Sequence, residues 1–287
     1  MSLGTVFSEP FIQTALAIGI LTGGLCAYLG NFILLKNMSF LSIALSEVSA
    51  LGIATGFFLQ YQFAAFLPEH LAHSTNIVPN LSALFFTLSA TLFFWFQSKK
   101  TQRFMNEGMI AFIYAGSAAL TIILISANPF LESRGSGELL NGNLLFCSAE
   151  DLSLICWTVF GIGIVHFIGF RNFLFVSLDR ETAYAQGVKA DFWEFLLLFT
   201  IGICISFSMR LTGVLFVFSS LIIPGLTGLT LFSRVKWIFC FSVFLVAISV
   251  VLGIIASWEY NLPTSPAIIC FYVLFFILAQ ILRKIRG

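Results

Sequence analysis

The chain has 287 residues, of which 59% are hydrophobic and only 9% charged, and its mean hydropathy is +1.01. A chain of this size cannot hide 35 phenylalanines in a core and keep enough polar surface to dissolve, which excludes a water-soluble domain and makes the lipid bilayer its first partner. A net charge of +1, from 14 basic and 13 acidic residues with no basic block, gives no reason to expect nucleic acid or a polybasic lipid-binding arm.

Apolar runs of membrane length fall at about 11–35, 39–59, 81–98, 108–127, 151–170, 192–209, 214–231, 237–256 and 267–283, each near the ~20 residues a spanning helix needs. The expected fold is therefore all-α, a polytopic membrane helix bundle of nine crossings in a single transmembrane domain, 1–287. Eight crossings result if Met209 to Gly213 kinks one long helix instead of separating two. Asn37-Met38 reads as a tight turn between the first two runs.

The second run contains a carboxylate, Glu47, whose ionised form costs on the order of 3 kcal/mol at the centre of a membrane helix. Three roles compete for it. In one, two copies of Glu47 face each other across a dimer and hold a hard divalent cation, helped by Ser42, Ser46 and Ser49. In another it is a protonated, structural carboxyl bonded to a neighbouring helix, and in the third it lines a path for cargo other than a free metal ion. Gly52 and Gly56 on the same run form a GxxxG pattern suited to close helix packing.

In the loop after the second run, His70 and His73 share one helical face and read first as solvated, with a weaker reading as a metal-entry funnel. His166, near the end of the fifth run, reads as structural, and the six scattered cysteines read as small packing residues. Between the fifth and sixth runs, the segment from Ser177 to Val188 spells a short free-standing helix at about 179–187. Asp179 is its N-cap, Glu181 complements its positive end, and Gly187 stops it. Such a helix offers Ala183 and Tyr184 to a partner, or lies on the membrane surface as a connector. Further on, Ser219 and Ser220 followed by Pro224 predict a broken or kinked seventh run that lines a path or simply bends.

Lys and Arg mark the cytoplasmic side: Lys36, Lys99, Lys100 and Arg103, the 171–189 loop, Arg234, Lys236 and the Arg283 to Arg286 tail. That pattern sets the N-terminus outside and the C-terminus in the cytoplasm. No GxxxxGK[ST] loop occurs, so any ATP chemistry is borrowed from a partner, and no HExxH or GxSxG motif suggests an enzyme.

The segment Asp179 to Val188, then Met209 to Leu215, then Ser219 to Gly225, resembles the membrane permeases of metal-type ABC importers, those for zinc, manganese and iron. Asn37 to Ser39 leading into Ala44 to Ala54, and Pro263 to Pro266 before the last run, extend the likeness from about Gly23 to Arg283. The resemblance implies a homodimeric permease in the bacterial cytoplasmic membrane, fed by an extracytoplasmic substrate-binding protein and driven by two ATP-binding cassette subunits. It also implies that Asp179, Arg180, Glu181, Ala183, Tyr184 and Gly187 belong to the helix that docks on the ATPase. No cofactor is expected on this chain; ATP is used by the partner, and a divalent metal is the cargo. One departure stands out: where the family commonly carries an aspartate and a histidine one turn apart, this chain has Ile43 and Glu47. An ABC permease for a non-metal substrate and a stand-alone secondary transporter or channel are the competing functions, and the latter has only Glu47 deep in the membrane for ion coupling.

Overall fold

The computed structural model describes residues 9–62, 77–100, 107–127, 142 and 144–286. Its helices are α1 (Pro10–Leu35), α2 (Ser39–Gln62), α3 (Ile77–Lys100), α4 (Glu107–Ser126), α5 (Ala149–Leu178), α6 (Arg180–Ala185), α7 (Ala190–Leu231), α8 (Val235–Tyr260) and α9 (Thr264–Arg286), with a 3-10 turn at Leu144–Phe146. No strand occurs among the described residues. Eight of these helices, all but α6, are long and apolar enough to cross a membrane.

Helix α7 settles how the two middle runs are joined. Its 42 residues would span about 63 Å, roughly twice the hydrocarbon thickness of a bilayer, so it cannot be one crossing. Gly213 breaks it, with φ 82° and ψ 165°, a backbone region open essentially to glycine alone. The runs expected at 192–209 and 214–231 are thus two segments of one element that is interrupted at a single residue.

The chain sorts into two compact units. The first holds Met1–Met38, Asn141–Gly169 and Leu211–Gly287. Here α1 lies against α8, with Gly19 at Val250 and Gly23 at Val246, and α8 folds back on α9, with Gly253 at Ile268. The 214–231 segment runs beside α1 in the same sense: Phe216 meets Gly23, and a Cβ on Gly30 would overlap the Leu221 carbonyl. α1 ends in a Schellman turn in which Asn37 takes φ 56° and the Met38 N–H reaches the Ile33 carbonyl, as the tight turn in the sequence predicts. The carbonyl of Thr212, beside the break, accepts from Ser265 Oγ at 3.0 Å.

The second unit holds Ser39–Leu140 and Phe170–Arg210. Gly52 and Gly56 let α3 approach α2 at Ala83 and Pro79, and Ser82 Oγ donates to the Gly52 carbonyl at 2.6 Å. The GxxxG pattern is therefore a packing surface. The first segment of α7 runs antiparallel to α3, with Gly202 at Thr91 and the ring of Phe195 5.1 Å from that of Trp95.

Candidate functional site

Two stations in the second unit, and one helix in the first, receive the residues singled out from the sequence. Glu47 sits in the third turn of α2, 8% exposed, and makes no hydrogen bond or ion pair among the described residues. The structural reading, a carboxyl bonded to a neighbouring helix, thus finds no bond here. Ser42, Ser46 and Ser49 are fully buried along an i, i+4, i+7 stripe. Glu47 points about 100° around the helix from Ser46, so the serines and the carboxylate occupy different faces. Ser42 and Ser46 also turn their hydroxyls back to their own helix, to the carbonyls of Ser39 at 2.7 Å and Ser42 at 2.9 Å. Within one chain the grouping of these serines with Glu47 does not form; Glu47 shares its face instead with Ile43.

In the first unit, Ser219 and Ser220 are buried, and Ser220 Oγ lies 3.2 Å from the hydroxyl of Tyr272, a side chain with no exposed surface. Pro224 removes the N–H that would satisfy the Ser220 carbonyl, yet the helix runs on through it, and the non-helical residue of α7 is Gly213 instead. His166 is buried against the rings of Tyr28 and Phe32, in keeping with a packing role. His70 and His73 lie outside the described residues. Of the cysteines, Cys26 and Cys204 are buried, while Cys156, Cys240 and Cys270 are exposed on their helices.

The short helix between α5 and α7 forms as its sequence demands. Asp179 caps α6 by accepting from the N–H groups of Glu181 at 2.9 Å and Thr182 at 3.2 Å, and from the Thr182 hydroxyl. Those bonds, that of the Thr182 hydroxyl foremost, hold the Asp179 carboxyl below its ordinary value. Gly187, with φ 77°, closes the helix in a Schellman turn: its N–H reaches Tyr184 and that of Val188 reaches Ala183.

Two expectations for α6 need correction. Ala183 does not face a partner: it has no exposed surface and packs with Val176 and Ala190, flanked by Val188 and Trp193. The large side chain α6 presents is Tyr184, 70% exposed, beside the smaller exposed Glu181 and Thr182. Arg180 also turns inward, pairing with Asp191 and, through Nε at 3.4 Å, with Glu194. Glu194 is 2% exposed and accepts from Ser98 Oγ at 3.1 Å, while Trp95 Nε1 donates to the Asp191 carbonyl at 3.2 Å. Asp191, Glu194, Ser98 and Trp95 were missed by sequence reasoning. The available signal was an acid in the first turn of a helix, Asp191, with a second, Glu194, just beyond it, and such acids read equally well as dipole complements. Among the described residues no group of three or more His, Cys, Asp or Glu could hold a metal ion.

A membrane helix bundle with a capped helix exposed between two spans has the build of a transport permease, and the comparisons agree. A model described as the ABC 3 transport family matches residues 8–283. The chain belongs to that family. It is 28% identical over 267 residues, 93% of this chain and 96% of the relative, to the high-affinity zinc uptake system membrane protein ZnuB of Buchnera aphidicola subsp. Schizaphis graminum. It is 27% identical over 273 residues to the manganese import system permease protein ScaB of Streptococcus gordonii, covering 94% of this chain and 90% of the relative. With the chelated iron transport system membrane protein YfeD of Yersinia pestis it shares 24% over 280 residues, 98% and 88% of the two chains. Its fold matches that of PsaBC from Streptococcus pneumoniae, solved with a Fab, at a TM-score of 0.81 and 23% identity, over 99% of this chain and 98% of that one.

Proposed function

We propose that this chain is the transmembrane permease of an ATP-binding cassette importer that carries a divalent metal ion, zinc, manganese or iron, across the bacterial cytoplasmic membrane. It works as a homodimer with two ATPase subunits and receives its cargo from an extracytoplasmic binding protein. Its N-terminus lies outside and its C-terminus in the cytoplasm, the arrangement that collects Lys and Arg on the inner side.

The observation that carries this reading is α6. A six-residue helix fixed by a cap at Asp179 and a stop at Gly187, with Tyr184 exposed at its outer face, suits a docking element in a family of transport proteins. In this reading ATP-driven closure of the ATPase pair displaces α6, and the spans on either side, α5 and α7, follow. Glu47 is the group in the membrane that meets the cargo. Neither the carboxylate nor the serines near it offer sulfur or imidazole, and oxygen donors favour manganese or iron(II) over zinc. The test is uptake of a panel of labelled divalent ions by the complex reconstituted in proteoliposomes. ATP-dependent accumulation of at least one ion is expected; equal uptake with and without ATP would overturn the proposal.

A further inference from the structure

The inward face of α6 carries a feature that docking alone does not need. Arg180, the first residue of α6, pairs with Asp191 in the first turn of α7 and reaches the buried carboxylate of Glu194 one turn later. Ser98 Oγ, near the end of α3, holds the Oε1 atom of that carboxylate, and Arg180 reaches toward the Ser98 carbonyl at 3.5 Å. Trp95, one turn earlier on α3, bonds the Asp191 backbone. Three elements distant in function thus meet at one guanidinium: the helix offered to a partner and the ends of two membrane spans. On its other side α6 is packed through Ala183 against Val176 of α5 and Ala190 of α7.

We infer that Arg180, Asp191, Glu194 and Ser98 form a clasp that makes α6 and the adjoining ends of α3 and α7 move as one body, so that displacement of α6 is delivered to both spans. These are positioning residues. None needs to touch ATPase or cargo; the clasp sets how much of the ATPase stroke reaches the membrane. The inference rests on the proposed docking of α6. Burial of Glu194 is what gives the clasp stiffness, because a charge removed from water holds its partners far more firmly than an exposed one. Covalent continuity supplies a second route, through Gln186 to Lys189, but that stretch includes Gly187 at positive φ and is a poor lever.

The experiment compares wild type, Glu194→Gln, Ser98→Ala, Arg180→Lys and Tyr184→Ala as permease–ATPase complexes in proteoliposomes. Complex assembly, ATP hydrolysis and uptake of labelled manganese(II), zinc(II) or iron(II), whichever ion the wild type carries, are measured together. Glu194→Gln is expected to keep assembly and hydrolysis while uptake per ATP falls about tenfold, a coupling loss within the usual range for linked sites. Ser98→Ala, which spares the charges, is expected to lower the same ratio by about threefold. Arg180→Lys, which keeps one charge without the fork, is expected to fall between the two. Should Glu194→Gln fail to assemble, Ser98→Ala decides. An unchanged ratio in the variants that assemble, or hydrolysis and uptake falling in proportion, overturns the clasp. Tyr184→Ala separates the two ideas: loss of assembly there upholds docking whatever the clasp variants do, and full assembly with full uptake overturns docking and the clasp together.

Discussion

Replacing Glu47 with Gln tests the membrane station most sharply, because a side chain that meets cargo and one that only supports the fold would move stability and transport in different directions. Glu47 is 8% exposed and has no hydrogen bond or ion pair among the described residues, so nothing in the fold compensates an ionised carboxylate there. An ionised acid at the centre of a membrane helix costs about 3 kcal/mol, and the amide removes most of that charge penalty at nearly the same volume. The variant is therefore expected to be as stable as wild type or more stable, by up to about 2 kcal/mol. Losing a charged ligand for an ion costs about 1.5–3 kcal/mol, which translates to uptake reduced by about 10- to 150-fold. Thermal unfolding in detergent and initial rates of ATP-dependent uptake would report both quantities on one preparation. Unimpaired uptake with reduced stability would refute the reasoning and leave Glu47 a structural residue.

Three further outcomes are expected. Gly213→Ala places a side chain at φ 82° and should destabilise the protein by about 1–3 kcal/mol, read as a lowered melting temperature in detergent. Ala183→Trp should destabilise the 180–188 region through overpacking against Val176 and Ala190, seen as faster amide exchange there than elsewhere. Because the bonds from Thr182 and Glu181 hold the Asp179 carboxyl low, its cap is at full strength above the ordinary carboxylate value near 3.8 and is lost as pH falls through the folded value. Amide protection of α6, corrected for intrinsic exchange, should hold from neutral pH down to that range and decline only below it, and Asp179→Ala should abolish the pH dependence.

The spans were legible because membrane length and apolarity are local properties, and so were the ends of α6, whose cap and stop act within four residues. The turn at Asn37 was legible for the same reason. The join at Gly213 reads two ways in the sequence, since one glycine at an unusual φ turns an apparently separated pair into a single interrupted element. Three features of the candidate site were not legible. A small residue such as Ala183 is equally suited to a contact surface and to a tight core, and only packing against Val176 and Ala190 decides. Hydroxyls at Ser42 and Ser46 satisfy themselves on their own helix, which spacing alone does not reveal. The ion pairs of Arg180 depend on α3 and α7 converging, a tertiary fact that charge order along the chain does not encode.

The most direct measurement of the central claim is accumulation of labelled divalent ions by the reconstituted permease with its ATPase subunits and binding protein, before and after ATP is supplied. We expect zinc, manganese or iron(II) to accumulate only with ATP and Tyr184→Ala to abolish that accumulation by releasing the ATPase. Accumulation by the permease alone, driven by a proton or sodium gradient, would contradict it.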